Sequence, residues 1–345
     1  MAVLQNLAAD RALDLSTETR YLGRGGSIEE RLAARAGIPF TPIKVGGMRT
    51  LAPWTLGRNL LLMASAVRAV EQVLREFAPT AVLATGGYVS APAIYAAGRR
   101  GIPVVIYLPD LEPGWAIRTL SRWARCVAVS FDEVRKYFSA GKAVVTGYPV
   151  RTEFYKVTRS EGCVGLNLDP DQRVVTIFGG SQGAHSINRT VSASLQELLA
   201  FTQIVHISGR QDEAMMQSAR AMLPSNLAER YHLFVYMDEE MPLALAAANL
   251  VVARAGAATL GEFPAVGAPS ILVPYPFAGR HQEKNADFLV GRGAAYKLDD
   301  SQLGTDLAPT LAKFLHDQPR LGQMAANARA IARPDAASQI AQLLK

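Results

Sequence analysis

The stretch Val174 to Val191, VVTIFGGSQGAHSINRTV, restricts the fold of this chain more than any other. Its apolar run Val174 to Phe178 reads as a parallel strand buried on both faces. The run stops at Gly179-Gly180-Ser181-Gln182-Gly183, and a helical period through Ile187 and Val191 begins at once. Glycines at such a junction let a ligand approach the backbone with no Cβ in the way. The first N–H groups of the helix are unpaired there, at the positive end of its dipole. A junction of this kind suits an anion, usually a phosphate, although the same pattern also serves a tight turn that needs glycine for geometry alone.

Strand and helix periods alternate on both sides of it. Met1 to about Ala12 is helical, so a helix precedes the first strand, Thr19 to Gly23. Ser27-Ile28-Glu29-Glu30 reads as a capping box for a helix that Gly37 ends. Strand Ile38 to Val45, a long helix from about Pro53 to Phe77, and strand Ala81 to Ala84 follow, the last running into Thr85-Gly86-Gly87-Tyr88. Further strands are expected at Val104 to Leu108, Cys126 to Phe131 and Ala143 to Thr146, with a helix at Gly114 to Trp123. The pattern loosens between residues 151 and 172, which reads as a linker. Beyond it lie strands Val174 to Phe178, Ile204 to Ser208, Leu233 to Tyr236, Leu250 to Ala253, Ser270 to Pro274 and Ala295 to Leu298. The fold class expected is α/β: two doubly wound, Rossmann-like parallel sheets, residues 1–150 and 173–345, with ligands at the carboxyl ends of the strands.

Composition narrows the function classes. No apolar run reaches the roughly 20 residues of a spanning helix, and no charged-then-apolar signal sequence opens the chain, so a cytoplasmic protein is expected. Cys126 and Cys163 lack CxxC spacing and neighbouring histidines, so neither a disulfide nor a zinc site is indicated. A net charge of +6 favours anionic partners, although most such side chains simply solvate a surface. The GGSQG turn lacks the dinucleotide spacing, no Walker lysine is present, and no DxD carboxylates follow a strand. Asp238-Glu239-Glu240 and Asp299-Asp300 read as solvated helix caps.

Two further stretches carry chemistry. ARAGAATLGEFPAVGAP, from Ala253 to Pro269, is a second small-residue turn, with Glu262 one helical turn inside. A carboxylate there accepts from two vicinal ribose hydroxyls, or it is a solvent-facing helix residue. FAGRHQEKNADF, from Phe277 to Phe288, puts His281 and Asn285 on one helix face with Gln282 beside them. Amides suit sugar hydroxyls, and the same cluster suits an N-terminal cap.

GGSQGA, RAGAATLGE and HQEKNA, with TGGYVSAP, GYPVR and SIEERLAARAGIPF, closely resemble the MurG family from about Thr19 to the C-terminus. Members are membrane-surface N-acetylglucosaminyltransferases that turn lipid I into lipid II in peptidoglycan synthesis. The resemblance implies a GT-B fold, inversion at the anomeric carbon, no catalytic metal and no cofactor. The partners implied are UDP-N-acetylglucosamine, a lipid-linked acceptor and an anionic membrane surface at the cytoplasmic face, with no nucleic acid. Residues 1–150 would be the acceptor domain, with Gly86, Gly87 and Tyr88 on the acceptor side, and the C-terminal helix would pack back on it. Residues 173–345 would bind the donor. By motif, Gly180, Ser181, Gln182 and Gly183 would meet its diphosphate and sugar region, and Arg151 phosphate charge. Ala257, Ala258 and Thr259 would line the nucleotide turn, Glu262 would hold the ribose and Met237 would lie near the uracil. His281, Gln282 and Asn285 would face the sugar.

Two departures stand out. The family opens with a strand and a GGTGGH loop that this sequence lacks, Met1 falling where the family's first helix is under way; the first domain is therefore expected to lack its first strand. The family's HEQN motif aligns with Tyr107-Leu108-Pro109-Asp110. A base for the acceptor hydroxyl then falls to Asp110 or Glu112, loop carboxylates that equally serve structure. Leu51, Trp54 and Arg58, and likewise Trp115 and Arg118, are apolar residues flanked by basic ones. They suit an anionic leaflet or the core face of a helix. Alternatives to lipid II synthesis are a divergent transferase with another nucleotide-sugar or acceptor, a donor-binding scaffold, and a same-fold epimerase.

Overall fold

A computed structural model of the chain describes residues 1–11, 13–45, 53–87, 89–180, 183–276 and 281–345, with the backbone alone at residues 10, 11 and 53–60. The chain divides into two compact units, Met1–Pro149 with Asp335–Lys345, and Val150–Pro334.

In the first unit the strands are β1 (Tyr21–Gly23), β2 (Phe40–Pro42), β3 (Val82–Ala84), β4 (Val104–Leu108), β5 (Cys126–Val129) and β6 (Ala143–Val145). All pair in parallel, but in two sheets: β1 with β2, and β3-β4-β5-β6 in that order. β4 and β5 are buried throughout, as strands covered by helices on both faces must be, whereas β1 and β3 each bury one residue of three. Helix Ala2–Arg11 packs with the C-terminal helix Ala336–Leu343: Val3, Leu7, Ile340 and Ala341 share a core with Val105, Tyr107, Cys126 and Ala128.

The second unit holds β7 (Val174–Phe178), β8 (Gln203–Ile207), β9 (Tyr231–Phe234), β10 (Leu250–Ala253), β11 (Ser270–Leu272) and β12 (Ala295–Lys297), all parallel in the order β12-β11-β10-β7-β8-β9. The first strand in sequence lies at the middle, and the winding reverses between β7 and β10. That is the doubly wound order, and its reversal point is where such sheets bind ligands. Four of the six strands present three or more fully covered residues, which is why their sequences read as unbroken apolar runs.

Three expectations are corrected. Residues 151–172 are not a linker: helices Glu153–Lys156 and Arg159–Gly165 bury Phe154, Cys163, Leu166 and Leu168 within the second unit. A Cβ on Gly162 would lie 2.5 Å from the Leu243 carbonyl, so this helix touches the helix Met241–Ala247 backbone to backbone. The box at Ser27 and Glu30 does not form. Gly26, at φ +74°, turns its own N–H to Glu30 Oε2 (2.6 Å), and Ser27 Oγ makes no hydrogen bond. A reciprocal box forms instead at Thr158 and Glu161 and starts the helix Arg159–Gly165. Finally, β9 begins at Tyr231 rather than Leu233, because Tyr231 and His232 read as polar yet pair with Ile204 and Val205.

Candidate functional site

At the reversal point the chain leaves β7 through the glycine turn. A Cβ on Gly179 would lie 2.3 Å from Ala184 N, and Gly180 sits at φ +86°. Gly183, at φ +78°, donates its N–H to Gly180 O (2.9 Å), and its Cβ would meet Ser208 O at 2.6 Å. Only glycine fits this path. Ser181 and Gln182 lie outside the described residues. Helix His185–Leu199 follows directly, so its N-terminal amides open onto the turn.

Beneath that helix runs a buried polar chain that sequence reasoning missed. Asn188 Nδ2 donates to Ser208 O (2.8 Å) and to Asp212 Oδ2 (2.7 Å), and its Oδ1 meets His206 Nε2 (3.0 Å). His206 Nδ1 meets the Tyr231 hydroxyl (2.8 Å), and Asp212 Oδ1 meets His185 Nδ1 (2.7 Å). An Asn one turn into a helix and a His inside an apolar strand were the available signals.

After β10 the chain makes its second small-residue turn. Ala257 and Thr259 fall in a 3-10 turn, Ala257–Leu260, with Ala258 exposed. Thr259 Oγ1 is committed to Gly256 O (2.7 Å). Glu262 opens helix Glu262–Val266, half-buried. Burial pushes its carboxyl up to about 7; Arg151 pulls it down and Asp238 adds to the rise. Arg151 is itself tied to Asp238, donating to the backbone carbonyl (2.7 Å) with the carboxylate 3.8 Å away, and lies over the Phe154 ring. Asp238 is thus part of the Arg151 environment and not a solvated cap. Met237 is buried with Cys163, Leu166 and Val205, so its side chain serves the core.

The third motif opens helix His281–Gly291. Asn285 is buried and donates Nδ2 to Ala255 O (3.1 Å), which joins this helix to the second turn. Gln282 Oε1 accepts from Tyr275 N (2.9 Å). His281 Nδ1 is buried with no hydrogen bond among the described residues, which leaves it bonding capacity to spare. A further tie was unforeseen. Arg254, buried, pairs with Asp300 (2.6 Å) and donates to Ser186 Oγ (2.7 Å) and Val273 O (3.1 Å), while Ser186 Oγ donates to Asp300 Oδ1 (2.7 Å). Asp300 is therefore an ion-pair partner, not a solvated cap, and the cluster fastens the first and second turns to each other.

In the first unit Gly86 and Gly87 both adopt positive φ, +90° and +78°, and Ser90 Oγ donates to Gly86 O. Tyr88 and Leu51 lie outside the described residues, as do the side chains of Trp54 and Arg58, whose backbone belongs to helix Pro53–Phe77. Asp110 and Glu112 are half-buried in the loop after β4. Ser130 Oγ donates to Pro109 O (3.2 Å), so the buried Tyr107 hydroxyl donates to Ser130 (3.0 Å), and this chain holds the Asp110 loop. Burial raises the Tyr107 phenol well above its ordinary range. Trp115 is 70% exposed and Arg118 lies over the Tyr137 ring, whereas Trp123 is packed edge-on against Tyr95. Among the described residues no helix is long and apolar enough to cross a membrane.

A doubly wound sheet with a glycine turn and a small-residue turn at its reversal, in a chain of two parallel-sheet units, is the architecture of the GT-B type. Family models agree: the glycosyltransferase family 28 N-terminal domain matches residues 3–129, and the family's C-terminal domain matches residues 174–340. The chain belongs to glycosyltransferase family 28. It is 38% identical to a Roseiflexus UDP-N-acetylglucosamine--N-acetylmuramyl-(pentapeptide) pyrophosphoryl-undecaprenol N-acetylglucosamine transferase, over 94% of this chain and 82% of that one. Its identity to the Bacillus licheniformis transferase of the same name is 34%, over 95% and 90%. The crystal structure of Acinetobacter baumannii MurG superposes with a TM-score of 0.74 at 27% identity, covering 99% of this chain and 94% of that one.

Proposed function

We propose that the chain transfers N-acetylglucosamine from UDP-N-acetylglucosamine to an N-acetylmuramyl-pentapeptide carried on a lipid diphosphate, the lipid II-forming step of peptidoglycan synthesis. The observation that carries this reading is the convergence of three motifs within the second unit. The Gly180–Gly183 turn offers amides to a diphosphate, Glu262 offers a carboxylate to ribose hydroxyls, and the helix of His281, Gln282 and Asn285 is tied to the small-residue turn between them. In this reading Arg151 and the amides of the first turn stabilise the leaving diphosphate. His281 Nδ1 meets a sugar hydroxyl, and the uracil lies against the backbone near Met237. Transfer with inversion takes one proton from the acceptor hydroxyl, which is assigned to Asp110 or Glu112. Gly86, Gly87 and Tyr88 serve the acceptor. The exposed Trp115 and a net charge of +6 support peripheral attachment to an anionic surface at the cytoplasmic face.

Purified protein incubated with UDP-N-acetylglucosamine and the lipid acceptor in detergent micelles should release UDP and extend the acceptor by one N-acetylglucosamine. Turnover of another nucleotide-sugar with equal or higher kcat/KM would redirect the reading to a divergent transferase. A second reading, a donor-binding scaffold, draws support from the stretch Tyr107 to Asp110 at the end of β4, where Tyr107 and Leu108 are buried and Asp110 is the only carboxylate of four residues. UDP binding that depends on Glu262 without any transfer would select it.

A further inference from the structure

Arg151, Asp238 and Glu262 form one charged group in the second unit, and Asp238 is the member that the donor chemistry above does not use. The Arg151 guanidinium is held from two sides: Nη2 donates to the Asp238 backbone carbonyl (2.7 Å), and the Phe154 ring lies 5.2 Å away. The Asp238 carboxylate stands 3.8 Å from Nη1, too far for a hydrogen bond, so the side chain contributes charge while the backbone contributes the tether. Both side chains are partly exposed, and a ligand can reach the pair. Glu262 accepts no hydrogen bond among the described residues, and the charges that bear on it are Arg151 and Asp238. Of the elements packed against its helix, the turn Ala257–Leu260 and helix Met241–Ala247 carry no charged residue, and Glu153 and Lys156 of helix Glu153–Lys156 are exposed. Helix Gln318–Ile331 brings Arg329 to Gly267, beyond the far end of the Glu262 helix, and Arg320 over the Phe314 ring.

A carboxylate this close to Arg151 acts twice on a nucleoside diphosphate. It repels phosphate charge and takes up part of the attraction that the guanidinium offers. It also disfavours the ionised form of Glu262, the form that ribose hydroxyls need. Both effects weaken binding. We propose, on the donor assigned under the proposed function, that Asp238 competes with the diphosphate for Arg151 and so limits how tightly the protein holds UDP. Asp238 is a positioning residue in this scheme, acting through Arg151 and Glu262. Weaker binding favours turnover, because UDP must leave after each transfer.

The test is Asp238→Asn, which keeps the backbone tether and the size of the side chain and removes its charge. UDP and uridine are titrated against the unaltered protein and the variant at pH 6 and pH 8. At pH 8 the variant should bind UDP about threefold to fivefold more tightly and uridine equally well, since uridine has no phosphate to meet Arg151. At pH 6 the variant should also gain about twofold for uridine, as Glu262 ionises more readily beside a neutral amide. A merely structural role would lower both affinities together and leave their pH dependence in place. Asp238→Ser, neutral but smaller, should behave alike, and in an Arg151→Gln background the gain for UDP at pH 8 should vanish. Equal or weaker UDP binding at pH 8, a gain that persists without Arg151, or the same pH dependence in both proteins overturns the proposal. UDP binding by the unaltered protein with no response to Asp238→Asn refutes the proposal alone; no UDP binding by the unaltered protein refutes the donor reading as well.

Discussion

His206 Nε2 donates to Asn188 Oδ1 across 3.0 Å, inside the core of the second unit. The direction follows from Asn188, which spends both amide protons on Ser208 O and Asp212 Oδ2 and so can only accept from His206. The imidazole must then accept at Nδ1 from the Tyr231 hydroxyl. A neutral ring in one tautomer satisfies every partner, and the helix behind the glycine turn is thereby registered on β8 and β9.

Burial pushes His206 down to about 3, against an ordinary value of 6.5. Between those values the unfolded chain binds the proton that the folded chain refuses, so stability rises with pH across this window and falls as the solution is acidified. Each pH unit is worth at most about 1.4 kcal/mol from this group. Urea unfolding at pH 7 and pH 5 should show a steeper loss for the unaltered protein than for His206→Gln. At pH 7 that variant should itself be about 1–3 kcal/mol less stable, because two buried partners are left poorly paired.

Gly162→Ala tests whether residues 151–172 belong to the fold. Its Cβ would press on the Leu243 carbonyl at 2.5 Å and on Ala247 N at 2.9 Å, both backbone atoms of the opposing helix. A loss of about 2–3 kcal/mol in denaturant unfolding is expected. A change within about 0.5 kcal/mol would return the segment to the status of a surface connection.

How far the sequence led can be judged on such positions. The glycine turn at Val174 to Val191 was legible because a strand buried on both faces must be apolar and a turn this tight leaves no room for a Cβ at Gly179 or Gly183. Residues 151–172 were not legible, because their helices are short, their apolar residues are spaced by polar ones, and the contact that holds them is a missing side chain at Gly162. Asp300 was misread for a related reason: its partner Arg254 lies 46 positions earlier (300 − 254), and nothing local marks an acidic residue as half of a buried pair. Gln282 and Asn285 do lie near the start of a helix, but propensity does not tell whether an amide faces a ligand or fastens one loop to another. The capping box failed at Ser27 and succeeded at Thr158 because a left-handed glycine before the first site moved the available N–H by one residue.

Removing Asp300 should be costly. Arg254 is 8% exposed, and Asp300→Ala would leave its guanidinium buried with only neutral acceptors. A destabilisation of about 3 kcal/mol is expected in urea unfolding. The double variant Arg254→Met with Asp300→Ala should recover part of it, since no charge then remains buried; a double variant as weak as the sum of the two singles would show that the pair is not coupled.

Glu262 carries the opposite sign of linkage. Its folded value of about 7 lies above the ordinary 4.5, so between those values the folded state holds the proton more tightly, and stability falls as pH rises through the window. Partial exposure moderates the size of the effect, which is on the order of 1–2 kcal/mol at pH 8. Glu262→Gln should therefore make the ligand-free protein more stable at pH 8 and leave it unchanged near pH 4. The same substitution should weaken UDP binding by about 1–3 kcal/mol, because the ribose hydroxyls lose a charged acceptor. In the unaltered protein UDP affinity should climb from pH 6 to pH 8 as the carboxylate forms, and in the variant this climb should disappear. Thermal unfolding with and without UDP, run at both pH values, reads stability and binding together. A variant that is stabilised at pH 8 but binds UDP as well as before would leave Glu262 a buried acid with no part in the donor site.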